Sequence, residues 1–185
     1  MQKNNLNIGC GTDIREDYIN LDKINHKGVD IVHDLEETPY PFTDNQFNYI
    51  YAGAVLEYLN NYKKCIKELL RILKPNGILE IDVPFNAAVC SEYHVRFFRY
   101  NSFAGFKNTT SLMNIEFNRN FKVVKRRIVF EKYFPFWYNY VCEFVFNLHP
   151  KIASFYERTF LRYLFPAYEL NFKLKKTTAD GVIND

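Results

Sequence analysis

The chain has 185 residues and a mass of 22.1 kDa, the size of one domain and too short for two full-sized ones. With 48% hydrophobic and 24% charged residues and no Gly/Pro-, Gln- or Ser-rich tract, its composition excludes disordered, collagen-like and low-complexity scaffolds. The net charge of +3 hides an asymmetry: residues 1–60 carry −6 and residues 61–185 carry +9, while 23 of the 33 aromatic residues lie between Tyr93 and Tyr168.

No apolar stretch reaches the ~20 residues that span a bilayer. The closest, Phe134 to Leu148, is interrupted by Asn139, Glu143 and Asn147. The opening MQKNNLNIGC lacks the apolar core of a signal peptide. Cys10, Cys65, Cys90 and Cys142 are scattered without a CxxC pair, so neither a disulfide framework nor a metal site is suggested. A reduced, cytoplasmic protein is expected.

In chain order, Leu6, Ile8 and Cys10 alternate with polar or small residues and stop at Gly9 and Gly11, which predicts a short strand ending in a tight loop. Tyr18 to Leu21 and Val29 to Val32 predict a second and a third strand, followed by Asp22 and by Asp34. Phe47 to Tyr51 is a fourth. Tyr62, Ile66, Leu69, Leu70 and Leu73 stand at helical spacing, with Pro75, Asn76 and Gly77 as the stop. Ile78 to Val83 is a fifth strand. Strands alternating with helices or loops predict a mostly parallel sheet, which binds its ligands at the carboxyl ends of the strands.

The back half is less regular. Phe97 to Phe106 predicts a helix, Lys122 to Phe130 a sixth strand, and Glu169 to Leu174 a seventh. Between these strands, Trp137, Val141, Phe144 and Leu148 share one helical face, and Ile152, Tyr156, Phe160 and Tyr163 another, with His149 and Pro150 as the break. An amphipathic hairpin too aromatic to stay exposed is expected there, packed as core or lid at the carboxyl ends of the strands.

Gly9 and Gly11 let backbone approach a ligand closely, but Ile14 stands where a dinucleotide fingerprint needs its third glycine. Asp22 can accept two ribose hydroxyls, although only ten residues separate it from Gly11. The first crossover helix is therefore expected to be vestigial or missing. Asp34 and Leu35 offer a carboxylate and an apolar side chain to a purine.

This ordered set resembles the class I S-adenosylmethionine-dependent methyltransferases, and most closely their small single-domain subgroup. LNIGCG is similar to the first motif, YINLD to the ribose acid, VHDLEETPYPFTDNQFNYIYAGAVLEYL to the adenine-loop and fourth-strand block, and RILKPNGILEIDVP to the fifth-strand motif. EYHVRFFRYNSFAGF and FYERTFLRYLFPAYELNFKLKK resemble the later segments more loosely.

The resemblance implies a Rossmann-like α/β fold: a mostly parallel seven-stranded sheet with helices on both faces, a shortened first crossover, and an aromatic hairpin at about 134–165 before the last strand. It divides one domain, 1–185, into a cofactor-binding half, 1–84, and an acceptor or lid half, 85–185. It also implies that Gly9, Cys10 and Gly11 line the methionyl end of S-adenosylmethionine, that Asp22 holds the ribose, that Lys23 belongs to the cofactor-binding set, that Asp34 and Leu35 frame the adenine, and that Ala52 and Gly53 sit beneath the sulfonium. Where the subgroup often has Leu-Glu-His, this chain has Leu56-Glu57-Tyr58.

The expected activity is in-line methyl transfer to a small acceptor, anionic or glycan-type, with His94 as first and Tyr58 as second candidate base. The absence of a DPPY-like signature after the fourth strand argues against DNA-base methylation and a nucleic-acid partner. Two alternatives stay open: a non-catalytic S-adenosylmethionine-binding module, and a peripheral membrane protein that uses the basic and aromatic residues from Lys122 to Trp137. Oligomeric state is left open.

Overall fold

The computed structural model describes residues 3–85, 92–103 and 120–177. Seven strands form one sheet: β1 Asn5–Ile8, β2 Tyr18–Asp22, β3 Ile31–Val32, β4 Phe47–Gly53, β5 Leu73–Pro84, β6 Phe121–Val129 and β7 Glu169–Lys176. Their spatial order is β3-β2-β1-β4-β5-β7-β6. The first five strands pair in parallel, and β7 runs antiparallel between β5 and β6. Every strand expected from the sequence is present, and the strand order reverses between β1 and β4, where an open α/β sheet opens its ligand crevice.

Among the described residues, four α-helices accompany the sheet: α1 Tyr62–Ile72, α2 Asn139–Asn147, α3 Pro150–Arg158 and α4 Leu161–Leu164. The Asn61 side chain caps α1 by accepting from the Lys64 N–H, and Cys65, Ile66, Leu69 and Ile72 bury its inner face. The helix stops at Ile72 and the chain passes straight into β5, with Asn76 at φ 64 inside that strand.

The two faces of the sheet differ. Leu6, Ile8, Leu21, Ile50, Leu79, Ile81, Leu170 and Phe172 lie on one face and form the core under α1 and α3. The opposite face carries Asn7, Asn20, Tyr49, Tyr51, Glu80, Asp82, Asn171 and Lys173. Helices are expected on both faces, but the connections β1–β2, β2–β3 and β3–β4 are turns and extended chain throughout. They are too short or too polar to bury a helix, so the missing first crossover helix is part of a wider simplification.

Polar pairing holds that second face instead. Asn7 and Asn20 hydrogen-bond each other at 3.0 Å and tie down the 13–15 loop. The Arg15 guanidinium lies 3.5 Å over the Tyr51 ring. Asn171 bridges Glu80 and Asp82, and Lys173 pairs with Glu80.

The helix predicted over 97–106 does not form in its described part. Phe98 bridges to Phe85, Phe98 and Tyr100 alternate as buried residues, and Asn101–Phe103 turn. Residues 104–106 lie outside the described residues.

The hairpin breaks at His149–Pro150 as expected, but its first helix faces the other way, and of the second expected face only Ile152 and Tyr156 turn inward while Phe160 and Tyr163 are exposed. Trp137, Val141, Phe144 and Leu148 point to solvent, and α2 buries Asn139, Glu143 and Phe146. The reason is what α2 covers. It lies along the free edge of β6, where unpaired backbone groups need partners. Asn147 accepts from the Ile128 N–H and donates to the Ile128 carbonyl, and Glu143 accepts from the Phe130 N–H. Arg127 and Lys132 pair with the buried Glu143 carboxylate. Phe146 and Tyr156 join Phe130 and Phe85 in an aromatic cluster behind this edge.

Candidate functional site

At the end of β1 the chain turns through Gly9 at φ 58 and Gly11 at φ 47, a left-handed conformation that favours glycine. The two positions differ in their surroundings. A Cβ on Gly9 would stand 2.3 Å from Val55 Cγ2, so Gly9 lets the loop after β4 close over the loop after β1. A Cβ on Gly11 would meet nothing within 4 Å, so backbone is presented to open space there.

Asp22, at the end of β2, accepts the Gly11 N–H at Oδ2 and the Ile24 N–H at Oδ1, both at 2.9 Å. Each carboxylate oxygen keeps a further lone pair for a ligand hydroxyl. His26 brings a ring nitrogen within 4.8 Å of the Asp22 carboxylate and the Cys10 sulfur, a neighbour that the sequence reading missed because no motif carries it. Burial, and then the Asp22 charge, push the Cys10 thiol up to about 11, so it stays protonated and is a poor metal ligand.

The other expected cofactor residues are placed less uniformly. Asp34 spends one oxygen on the Glu36 N–H and keeps its second. Leu35 packs in the core beside Tyr40, whose hydroxyl donates to the Leu35 carbonyl. Ala52 is fully buried in the core, so only its backbone is left for a ligand. Gly53 lies under Tyr51, whose hydroxyl would stand 2.6 Å from a Cβ at that position. Lys23 is exposed beside Asp22.

The loop after β4 forms a single 3-10 turn, Leu56–Tyr58. It brings the two candidate bases together: the Tyr58 and His94 rings meet edge to face at 4.7 Å, with the Val95 N–H donating to the Glu57 carbonyl. His94 Nδ1 is buried without a partner. So is Glu57 Oε2, on a side chain only 1% exposed, and burial pushes the Glu57 carboxyl up to about 7.

Glu169, which pairs in register with Pro84 at the end of β5, is also raised to about 7, first by burial and then by the charge of Asp82, with Glu57 contributing. Asp82 is raised by burial while accepting from Tyr51 and Asn171. Three carboxyls of raised pKa thus gather at the carboxyl ends of β4 and β5. Asp82 and Glu169 were missed in the sequence, because both lie inside the strands β5 and β7 rather than in the loops that follow them.

Residues 3–81 match the family described as "Methyltransferase domain". The demethylmenaquinone methyltransferase of Staphylococcus saprophyticus is 33% identical over 72 residues, 37% of this chain and 30% of that protein. The chain thus spans less than a third of the length of the curated relatives it matches. Over residues 3–81 the chain is thus similar to methyltransferases. Solved structures give the same architecture. An S-adenosylmethionine-dependent methyltransferase from Archaeoglobus fulgidus superposes with a TM-score of 0.60 at 14% identity, covering 93% of this chain and 85% of that one. The YcgJ protein from Bacillus subtilis gives 0.55 at 13%, covering 94% and 91%.

The residues gathered at this site fit S-adenosylmethionine. The open Gly11 backbone, the remaining Asp22 lone pairs and the neighbouring His26 can meet a ribose and an amino-acid moiety. The free Asp34 oxygen can accept from an exocyclic amine.

Proposed function

We propose that the chain binds S-adenosylmethionine across the ends of β1, β2 and β4 and methylates an oxygen or nitrogen that loses a proton. The observation that carries this reading is the Asp22 carboxylate bound to the Gly11 N–H beside open space. When bound, the sulfonium supplies an activated methyl group with a neutral leaving group. The protein's own part is to orient the acceptor, exclude water and receive its proton.

Two groups suit the last task. Glu57 holds a buried, unpartnered carboxyl oxygen near neutrality, and His94 a buried, unpartnered ring nitrogen. The +9 charge of residues 61–185 favours an anionic acceptor. The carboxyls of Glu57, Asp82 and Glu169 oppose that choice locally and favour a neutral hydroxyl, as on a glycan, or an amine.

The test has two stages. Titration calorimetry should detect S-adenosylmethionine and S-adenosylhomocysteine, and no heat with either would end the proposal. Transfer of labelled methyl should then be found with hydroxyl or amine acceptors. Binding without transfer to any acceptor class would favour the non-catalytic alternative.

A further inference from the structure

The aromatic unit that follows β6 is built inside out. Phe134 is 90% exposed, Trp137 70% and Phe144 68%, with Tyr133, Tyr140, Val141, Val145 and Leu148 also exposed around them. Phe155, Phe160, Tyr163 and Leu164 extend the exposed apolar surface over α3 and α4. The two parts are joined by the Tyr138–Phe165 ring contact at 6.4 Å. Isolated exposed apolar side chains are ordinary, but an exposed run along one helix face, continued on its neighbours, marks an interaction surface.

The charges on this unit select the partner. Between residues 132 and 164 the only acids are Glu143 and Glu157, and both are buried. Glu143 pairs with Arg127 and Lys132, and Glu157 accepts the Tyr100 N–H. The surface of α2–α4 therefore presents apolar groups with Lys151 and Arg158 and no exposed carboxylate, the exposed Glu131 lying before α2 at the exit from β6. Lys151, Phe155 and Arg158 follow one stripe of α3 and, with Pro150 and Ser154, line a shallow open groove. Aromatic rings beside cations suit the interface of an anionic bilayer, where rings sit at headgroup depth and cations meet phosphate. A two-fold contact with a second copy would instead bring like charges together without acids to balance them.

From the exposed rings and the one-signed charge of this unit, we infer that α2–α4 dock the protein on an anionic lipid surface. No described helix is long and apolar enough to cross a membrane, so the contact is interfacial. The unit leaves β6 at Val129 and re-enters β7 at Glu169, level with Pro84 at the carboxyl end of β5. Docking there sets the candidate site beside the headgroup layer. The inference goes beyond the proposed methyl transfer and does not depend on it.

Trp137 is the only tryptophan of the chain and reports on the contact directly. With vesicles of phosphatidylcholine and phosphatidylglycerol, its emission should shift to the blue and the protein should co-sediment, less so in high salt or with phosphatidylcholine alone. Replacing Phe144 and Phe160 together by Ser removes no buried side chain, so the melting temperature should hold while partitioning falls about tenfold or more. Lys151→Ser with Arg158→Ser should remove most of the preference for anionic vesicles. Unshifted emission and no sedimentation with anionic vesicles would overturn the inference. So would a dimer in solution that the Phe144→Ser, Phe160→Ser variant converts to a monomer, because a second copy would then cover the surface.

Discussion

Gly11 donates its backbone N–H to Asp22 Oδ2 at 2.9 Å, and with the Cys10 N–H on the Leu21 carbonyl this bond joins the ends of β1 and β2, where larger α/β proteins place a crossover helix between them. Asp22 therefore has two duties, holding the loop and offering its remaining lone pairs to a ligand.

Both duties are measurable. Asp22→Ala leaves the Gly11 and Ile24 N–H groups without their acceptor and should cost about 1–3 kcal/mol of stability. It should also weaken S-adenosylmethionine binding by about 10-fold to 1,000-fold, from the loss of charge-assisted hydrogen bonds to the ribose. Calorimetry and denaturant melts read the two effects separately. A variant that loses stability but keeps full affinity would show Asp22 to be a loop anchor only.

The two glycines should respond differently to alanine. At Gly9 the left-handed backbone and the Val55 contact act together, and the cost should reach about 2–4 kcal/mol. At Gly11 only the backbone term applies, about 1–2 kcal/mol, while the added methyl enters the open space facing the ligand. Gly11→Ala should thus lower cofactor affinity more than stability. Equal losses at the two positions, in melts and in binding, would contradict this division.

The carboxyl cluster makes stability depend on pH. Glu57 ordinarily titrates near 4.5 and is raised to about 7 in the folded chain, so the folded state binds the proton more tightly than the unfolded one. Its favourable contribution is complete below about 4.5 and is lost as pH rises through about 7. Glu169 acts in the same direction and over the same window. Glu57→Gln should remove part of this slope and raise the melting temperature at pH 8 relative to the parent. An unchanged slope between pH 5 and pH 8 would mean that Glu57 is ionised or hydrated in the folded state.

The front half was legible because its signals are local. Strand ends marked by Gly9, Asp22 and Asp34, and the helical spacing of Ile66 and Leu69, act through backbone propensity and a single apolar face. Two features were not legible. The approach of Glu57, Asp82 and Glu169 depends on β7 returning antiparallel beside β5, which joins residues far apart in sequence. The orientation of α2 was misread because hydrophobic periodicity assumes an apolar surface to cover, whereas this helix covers a strand edge whose N–H and C=O groups need polar partners.

That reversed orientation rests on Glu143. Its carboxylate is buried, pairs with Arg127 and Lys132, and accepts the Phe130 N–H at 3.1 Å, so it satisfies the edge of β6 while balancing two cations. Removing it leaves two cations without their partner and a buried N–H without an acceptor. Both cations keep solvent access, so Glu143→Ala should cost about 1–3 kcal/mol, chiefly from the unsatisfied N–H. Glu143→Gln, which keeps an acceptor for the Phe130 N–H but not the charge, should cost less. Amide hydrogen exchange localises the effect: the N–H groups of Ile128 and Phe130 should exchange faster in the Ala variant, while those of β1 and β4 keep their protection. If α2 were instead held by Phe146 alone, Glu143→Ala would leave the exchange at Phe130 unchanged and Phe146→Ala would carry the larger loss.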